Sequence, residues 1–461
     1  MFKVSEEMPK NWTLVELGCI AQLISGVTYK KDVAIYDPQD GYVPLLRANN
    51  INKELNYENL VYVPSSKVKE EQFVKEHDII IAMSSGSKNL VGKAAQAKHS
   101  FPGGFGAFCG LVRVNQKLNK RFIGYFFQSD AYRKSISQLS SGVNINNLRR
   151  ENVLSIKLPL PPLSEQHRIV DKIEELFSKL DVGIESLRKV QAQIKRYRQA
   201  VLKHAFEGKL TAAWREANKH RLEPASDIIT KKQEVNSKPN DLQIPELPDI
   251  WKWSNINSVS EVISGQHILK NDYNEKKGGI PYLTGPIDFG NKYPSIRKWT
   301  CKPKAIALKN DVLITVKGAG VGKTNILNIK EAAISRQLMA IRSTVMDPCY
   351  IYYYLVSKFP DLQKIGAGST VPGIDRRSLL YFHIPISPLV EQKQIVEEIE
   401  RRFSIADRVE EIVEQNLKRA ERLRQSILKK AFEGKLVPQD PTDEPASVLL
   451  ERIKAEKEKS K

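Results

Sequence analysis

A chain of 461 residues, 41% of them hydrophobic, can bury roughly two to four domain cores, which excludes wholesale disorder. Its 72 lysines and arginines against 53 acidic residues leave a formal charge of +19, so the expected partner is a polyanion, with double-stranded DNA the leading candidate. No apolar run approaches the roughly eighteen residues needed to span a bilayer, and the opening MFKVSEEMPKNW is not signal-like. A soluble cytoplasmic protein without membrane contact is expected.

In chain order, residues 1–158 carry short β-type runs such as DIIIAM at Asp78, separated by glycine and asparagine turns, and are predicted to form a compact mixed α/β domain. Its candidate base readers are Arg47, Asn49 and Asn50 in RANNI, and Asn144, Asn146 and Asn147 in NINN, followed by Arg149 and Arg150. Arginine matches the edge of guanine and asparagine that of adenine through paired hydrogen bonds. The glycine-rich SSGSKNLVGK, Ser84 to Lys93, adds Lys88, Asn89 and Lys93 as a candidate backbone clamp, its amides approaching phosphate oxygens while lysine supplies counter-charge.

Residues 159–210 read as one long helix. Apolar residues step by four and three through Ile169, Ile173, Leu176, Leu180, Leu187, Val190, Ile194, Tyr197 and Val201, with one gap at Gly183, the seam of a coiled coil, and the helix ends near Gly208. Residues 211–244 are predicted to be a linker, beginning with a short helix. A second mixed α/β domain follows over 245–384, with DVLITV at Asp311 and a second basic glycine loop, KGAGVGKT, carrying Lys317 and Lys323. Gly318 and Gly322 enclose one residue too few for a nucleotide-binding loop, so ATP is not expected on this chain. Further candidates for DNA contact are Thr370, Arg376 and Arg377, in the place of the NINN segment, and Arg336 with Gln337.

Residues 385–436 are a second long helix with its seam at Ile395, Ile399, Ala406, Val409, Val413, Ala420, Leu423 and Ile427, interrupted by Arg402 and by Asn416, which either fixes the pairing register or sits on a solvated flank. Residues 437–461 form a charged terminal helix expected to fray at its end.

These two halves are copies. RQAVLKHAFEGKL from Arg198 returns as RQSILKKAFEGKL from Arg424, ten of thirteen positions identical, and the same shift carries PPLSEQHRIV (Pro161 to Val170) onto SPLVEQKQIV (Ser387 to Val396). Pro9 and Trp12 face Pro248 and Trp251 at a slightly longer shift. A constant helix behind a variable front, written twice, points to an antiparallel helix pair with a pseudo-two-fold axis, about 65 Å long at 1.5 Å per residue. Two dissimilar readers on such a spacer suit a bipartite DNA site.

No catalytic constellation stands out: the seven histidines are dispersed, and the four cysteines, Cys19, Cys109, Cys301 and Cys349, are too scattered for a zinc site. No catalytic residue, metal or cofactor is therefore assigned to the chain. Two rival readings use the same residues: a coiled-coil scaffold that binds DNA non-specifically, and a nuclease or nucleotide-driven motor.

On PPLSEQHRIV, SPLVEQKQIV and the two AFEGKL endings, the whole chain resembles the specificity subunits of type I restriction-modification systems. In the first front, GVTYKK, RANNI, IAMSSGSK and FGAFCG are similar to the K-type members. The resemblance implies two target recognition domains joined by two long antiparallel coiled-coil helices. It also implies partners: two modification subunits that methylate adenine with S-adenosylmethionine, and two restriction subunits that use ATP and Mg. Their chemistry resides outside this chain.

Overall fold

The computed structural model describes residues 8–84, 90–139, 147–227, 245–367 and 373–459. It divides into two compact units, one formed by residues 1–187 with 415–461 and the other by 188–414. The divisions fall inside the two long helices, Leu163–Phe206 and Leu389–Phe432, so the units are not the two sequence halves. Each unit combines one variable front with the start of its own helix and the end of the other.

In the first unit a four-stranded antiparallel sheet runs in the order Ala21–Ser25, Cys109–Val114, Ile79–Ala82, Ala94–Gln96, beside a three-stranded sheet of Val61–Pro64, Tyr42–Leu46 and Gly104–Phe105. Ile79 to Ala82 is buried at every position, which explains why this strand reads as a continuous apolar run instead of an alternating one. Helices Lys120–Phe127 and Asp130–Leu139 cover the sheet. The first is capped by Asn119, whose side chain accepts from the amides of Arg121 and Phe122.

The second unit repeats this topology, with Ser260–Ser264, Leu338–Ser343, Val312–Thr315 and Thr324–Ile326 in the corresponding order and a five-stranded sheet beside them. Its covering helix Pro348–Ser357 starts with proline after the Asp347 cap, where a missing N–H costs nothing. In both units a bidentate ion pair pins one end of the main sheet. Arg113 donates to buried Asp78 at 3.0 and 2.6 Å, and Arg342 to buried Asp311 at 3.1 and 2.8 Å.

The repeated helix-start sequence earns its burial through hydrogen bonds. Trp12 Nε1 donates to Glu165 at 2.8 Å and Trp251 Nε1 to Glu391 at 2.8 Å. The next residue, Gln166 or Gln392, accepts the amide of Asn119 or Asp347 and donates to the carbonyl of Pro161 or Ser387. The second oxygen of each glutamate is reached from beyond the end of the other helix: Gln439 donates to Glu165 at 2.7 Å, while Thr211 and Arg215 donate to Glu391 at 2.7 and 2.8 Å. Those helix ends turn at Gly208 and Gly434, which sit at φ +70° and +68°, a conformation suited to glycine. A Cβ at Gly208 would strike Pro248 and one at Gly434 would strike Pro9, which accounts for the repeated prolines.

Helix pairing is antiparallel in each unit. In the second, Arg198 bonds Asp407 and Glu410 at 2.6 and 2.9 Å, and Thr211, thirteen residues on, meets Glu391. In the first, Arg424 pairs with Asp181 and lies 4.3 Å over Phe177, while Arg168 meets Asp443.

Among the predicted seam residues Ile169, Ile173, Ile194, Ile395, Ile399, Val413 and Ile427 are buried, and Leu176, Leu180 and Leu187 are half-buried. Val409 and Leu423 are instead 37% and 47% exposed, a correction to the expected seam. The buried line on the second helix follows Ile399, Ala406, Val413 and Ile427, with half-buried Ala420 between the last two. The adjoining positions are Glu410 and Arg424, each committed to a charged partner on the other helix. Ala406 and Ala420, both in the expected seam, keep to this line, and the alternate seam positions fall on its exposed flank.

One further expectation changes. Part of the expected linker packs, because Thr211 and Ala225 are buried in the second unit. The terminal helix Ala446–Lys459 is anchored: Ala446, Leu449 and Ile453 enter the first core and Lys457 donates to the carbonyl of Gly18 at 2.6 Å, while the last two residues, where fraying is expected, lie outside the described residues. The repeated segments Glu223-Pro-Ala-Ser226 and Glu444-Pro-Ala-Ser447 play matching parts, since the amides of Ala225 and Ala446 donate to Ile250 and Asn11 at 3.0 Å.

Glu391→Ala leaves the Arg215 guanidinium buried without its counter-charge and is expected to cost about 3–5 kcal/mol. Glu165→Ala, which strands the neutral donors of Trp12 and Gln439, is expected to cost about 1–3 kcal/mol. Urea unfolding of the full chain checks this order; equal losses would mean that Arg215 is satisfied without the carboxylate. Burial also raises the Glu165 pKa above the usual carboxylate value. Its stabilising contribution is complete below the unfolded pKa and declines as pH rises through the folded one, so Glu165→Gln should flatten that part of the stability profile.

Candidate nucleic-acid interface

One end of each main sheet gathers most of the candidate contact residues that the structure describes. In the first unit that end is set by the pairs Ser25–Gly110, Ala82–Cys109 and Ile81–Ala94. From it leave the glycine-rich loop, the Gly26 turn and the Gly106–Phe108 tip. Val27 bridges Gly106, Ser84 bridges Asn147, and the amide of Leu148 donates to Met83 at 2.7 Å. The RANNI turn joins them because Leu46 pairs with Phe105 and the Gly106 amide donates to the Leu46 carbonyl at 2.8 Å.

The second unit builds the same cluster from different residues. Lys317 bridges Gly373, the Ile374 amide donates to Val316 at 2.9 Å, and the Ser335 amide donates to Leu283 at 3.0 Å. The tip there is Arg336–Gln337, held where the Gln337 carbonyl accepts the amide of Val316 at 2.8 Å.

Individual candidates divide. Asn49, Asn147, Arg149 and Arg150 are exposed at or next to the first cluster, and Lys317, Lys323 and Arg336 are exposed at the second. Lys93 is half-buried. Arg47 is half-buried too and donates to the carbonyl of Asn59 at 3.0 Å. Asn50 is not a base reader: its side chain is buried, accepting the Arg47 amide and donating to the carbonyls of Asn56 and Glu58. A short 3₁₀ turn needed an internal cap, and the asparagine cluster hid which member supplied it. Arg376 and Arg377 are exposed on the short helix Arg376–Leu380, where Arg376 donates to the carbonyl of Val262 at 3.1 Å and Arg377 lies 6.0 Å from the centre of the Tyr381 ring. Lys88, Asn89, Asn144, Asn146 and Thr370 lie outside the described residues.

The backbone-clamp expectation narrows where the loops are described. The amides of Val321, Gly322 and Lys323 are taken by Gly318, Thr315 and Gly320, and those of Gly92 and Lys93 by Ala82 and Leu90. Gly92 and Gly322 are glycine for internal reasons: φ is +73° and +84°, and a Cβ would meet Ile136 or Leu362. The strand Thr324–Ile326 follows Lys323, whereas a nucleotide cradle requires a helix there. These five amides are therefore spent on the turns themselves.

Sequence reasoning overlooked two exposed residues at the two clusters, Phe108, 70% exposed, and Ile287, 67% exposed, whereas Gln337, expected beside Arg336, is exposed at the second. FGAFCG was visible as a motif, but nothing in it marks which phenylalanine is buried; Phe105 is. Among the described residues, no group of three or more His, Cys, Asp or Glu side chains is placed to hold a metal, and no helix is long and apolar enough to cross a membrane.

Lys317→Ala and Lys323→Ala are each expected to weaken binding to all duplexes alike and to lower the slope of log affinity against log salt by about one unit. Titrations at several salt concentrations measure this, and an unchanged slope removes that lysine from the interface.

Comparison with known proteins gives a consistent picture. The family model described as Type I restriction modification DNA specificity domain matches residues 9–196 and 248–419. The specificity subunit of the type I restriction enzyme EcoKI from Escherichia coli K12 is 32% identical over 480 residues, covering 98% of this chain and 96% of that protein. The StySPI specificity subunit from Salmonella potsdam is likewise 32% identical, with coverage of 98% and 96%. In fold, the chain is similar to a solved structure concerned with complex assembly and conformational transition of the type I R-M system, at TM-score 0.71 and 22% identity, covering 94% of this chain and all of that one. The HsdS subunit from Thermoanaerobacter tengcongensis matches at TM-score 0.53 and 22% identity with the same coverage. Duplicated fronts, a shared helix-start clamp and these matches together make the chain a member of the type I restriction-modification DNA specificity family.

Proposed function

We propose that each unit reads one half of a bipartite duplex with the loop cluster at its sheet end, and that the chain selects sites for chemistry performed by other subunits. The observation that carries this reading is the recurrence of one loop cluster, at one end of one sheet topology, with different side chains in each copy. A fixed scaffold with changed tips is what reading two different sequences requires. The basic balance of the chain supplies the sequence-independent attraction.

The partners that fit are two modification subunits, using S-adenosylmethionine on adenine, and two restriction subunits, using ATP and Mg, in the cytoplasm. The long helices are the surface for the former. In the second unit Ile405 and Val409 are apolar residues exposed on a highly charged helix, a feature that suits a covering protein.

Exchanging residues 1–158 for the front of another family member is expected to change one half-site and leave the other intact. Mapping methylated adenines in genomic DNA from cells carrying the hybrid with its modification subunits checks this; a change in both half-sites would defeat the modular reading.

A further inference from the structure

In the first unit two side chains project from the loop cluster on rigid backbone. Asn49 is the exposed centre of the turn Ala48–Asn50, closed where Asn50 accepts the Arg47 amide at 3.0 Å. Phe108 is 70% exposed although its carbonyl accepts the amides of Met83 and Ser84 at 2.9 and 3.1 Å. The two turns are tied together through Gly106 and Leu46.

The second unit has equivalent positions. Ile287 is the exposed centre of the turn Pro286–Asp288, closed where buried Asp288 accepts the Thr284 amide at 2.7 Å. Gln337 takes the place of Phe108, its carbonyl accepting the Val316 amide, and its side chain lies where a Cβ on Gly285 would strike it. The ties match as well, Ser335 to Leu283 standing for Gly106 to Leu46.

The chemistry at these two positions is exchanged between the units. Turn and tip carry amide and apolar group in the first, apolar group and amide in the second. An amide side chain forms paired hydrogen bonds with adenine, and an apolar one discriminates by contact with the thymine methyl group. Building on the DNA-reading function above, we infer that Asn49 with Phe108 and Ile287 with Gln337 are the specificity-determining pairs of the two units. Each pair reads an adenine with its amide and a neighbouring thymine methyl with its apolar tip, in opposite order relative to the fold.

The test is selection of bound sequences from randomised duplexes by the full chain, alone and with its modification subunits, followed by sequencing. Asn49→Ala and Gln337→Ala should each lose preference for adenine at one position, in different half-sites. Phe108→Ala and Ile287→Ala should each relax an adjacent position. Discrimination there should fall by about five- to a hundred-fold, with melting temperatures and the remaining consensus unchanged. Variants that retain the full consensus, or lose affinity equally for every sequence, would overturn the assignment. A wild-type chain that enriches no sequence in either form would instead sink the DNA-reading function itself.

Discussion

A buried carboxylate at the start of each long helix is the interaction from which the architecture follows. Glu165 and Glu391 are almost without solvent, so each must find donors inside the protein. Each takes one from a tryptophan in its own front and others from the segment after the opposite helix. One side chain thereby fixes front, helix start and returning chain together within a unit. The two clamps differ in kind: Glu391 holds an arginine, whereas Glu165 holds uncharged groups, so identical sequence positions carry different electrostatic demands.

That clamp leaves the far side of each front free to vary. Both main sheets keep an aspartate–arginine pair at one end and open their loops at the other. The loops owe their shape to internal hydrogen bonds and to glycines forced by helix packing, so side chains at the tips can change without disturbing the backbone beneath them. Separation of a structural end from a reading end lets one scaffold serve two unlike targets.

The glycine-rich loops illustrate how a local pattern can be right about place and only partly right about mechanism. Both leave the loop end of their sheet, yet the amides of Val321, Gly322, Lys323, Gly92 and Lys93 are consumed by turns. RANNI shows the same division. Its location was legible, but Asn49 and Asn50 differ only in which of them caps the turn. The helix seam failed at Val409 and Leu423 because the buried line of the second helix steps by sevens through Ile399, Ala406, Val413 and Ile427, which leaves the alternate seam positions on its exposed flank.

By itself the sequence established the duplication, the two mixed α/β fronts, the long helices and the family, since each is a repeated or periodic pattern that survives without knowledge of contacts. Tertiary structure alone decided that the compact units are not the sequence halves, that the linker and terminal helix complete two cores, and that Phe108 and Ile287 stand exposed at the loop ends of the sheets. The physical reason is separation along the chain. Burial and hydrogen-bond partnership join residues such as Trp12 with Glu165 or Thr211 with Glu391, more than a hundred positions apart, and no local period encodes such pairs.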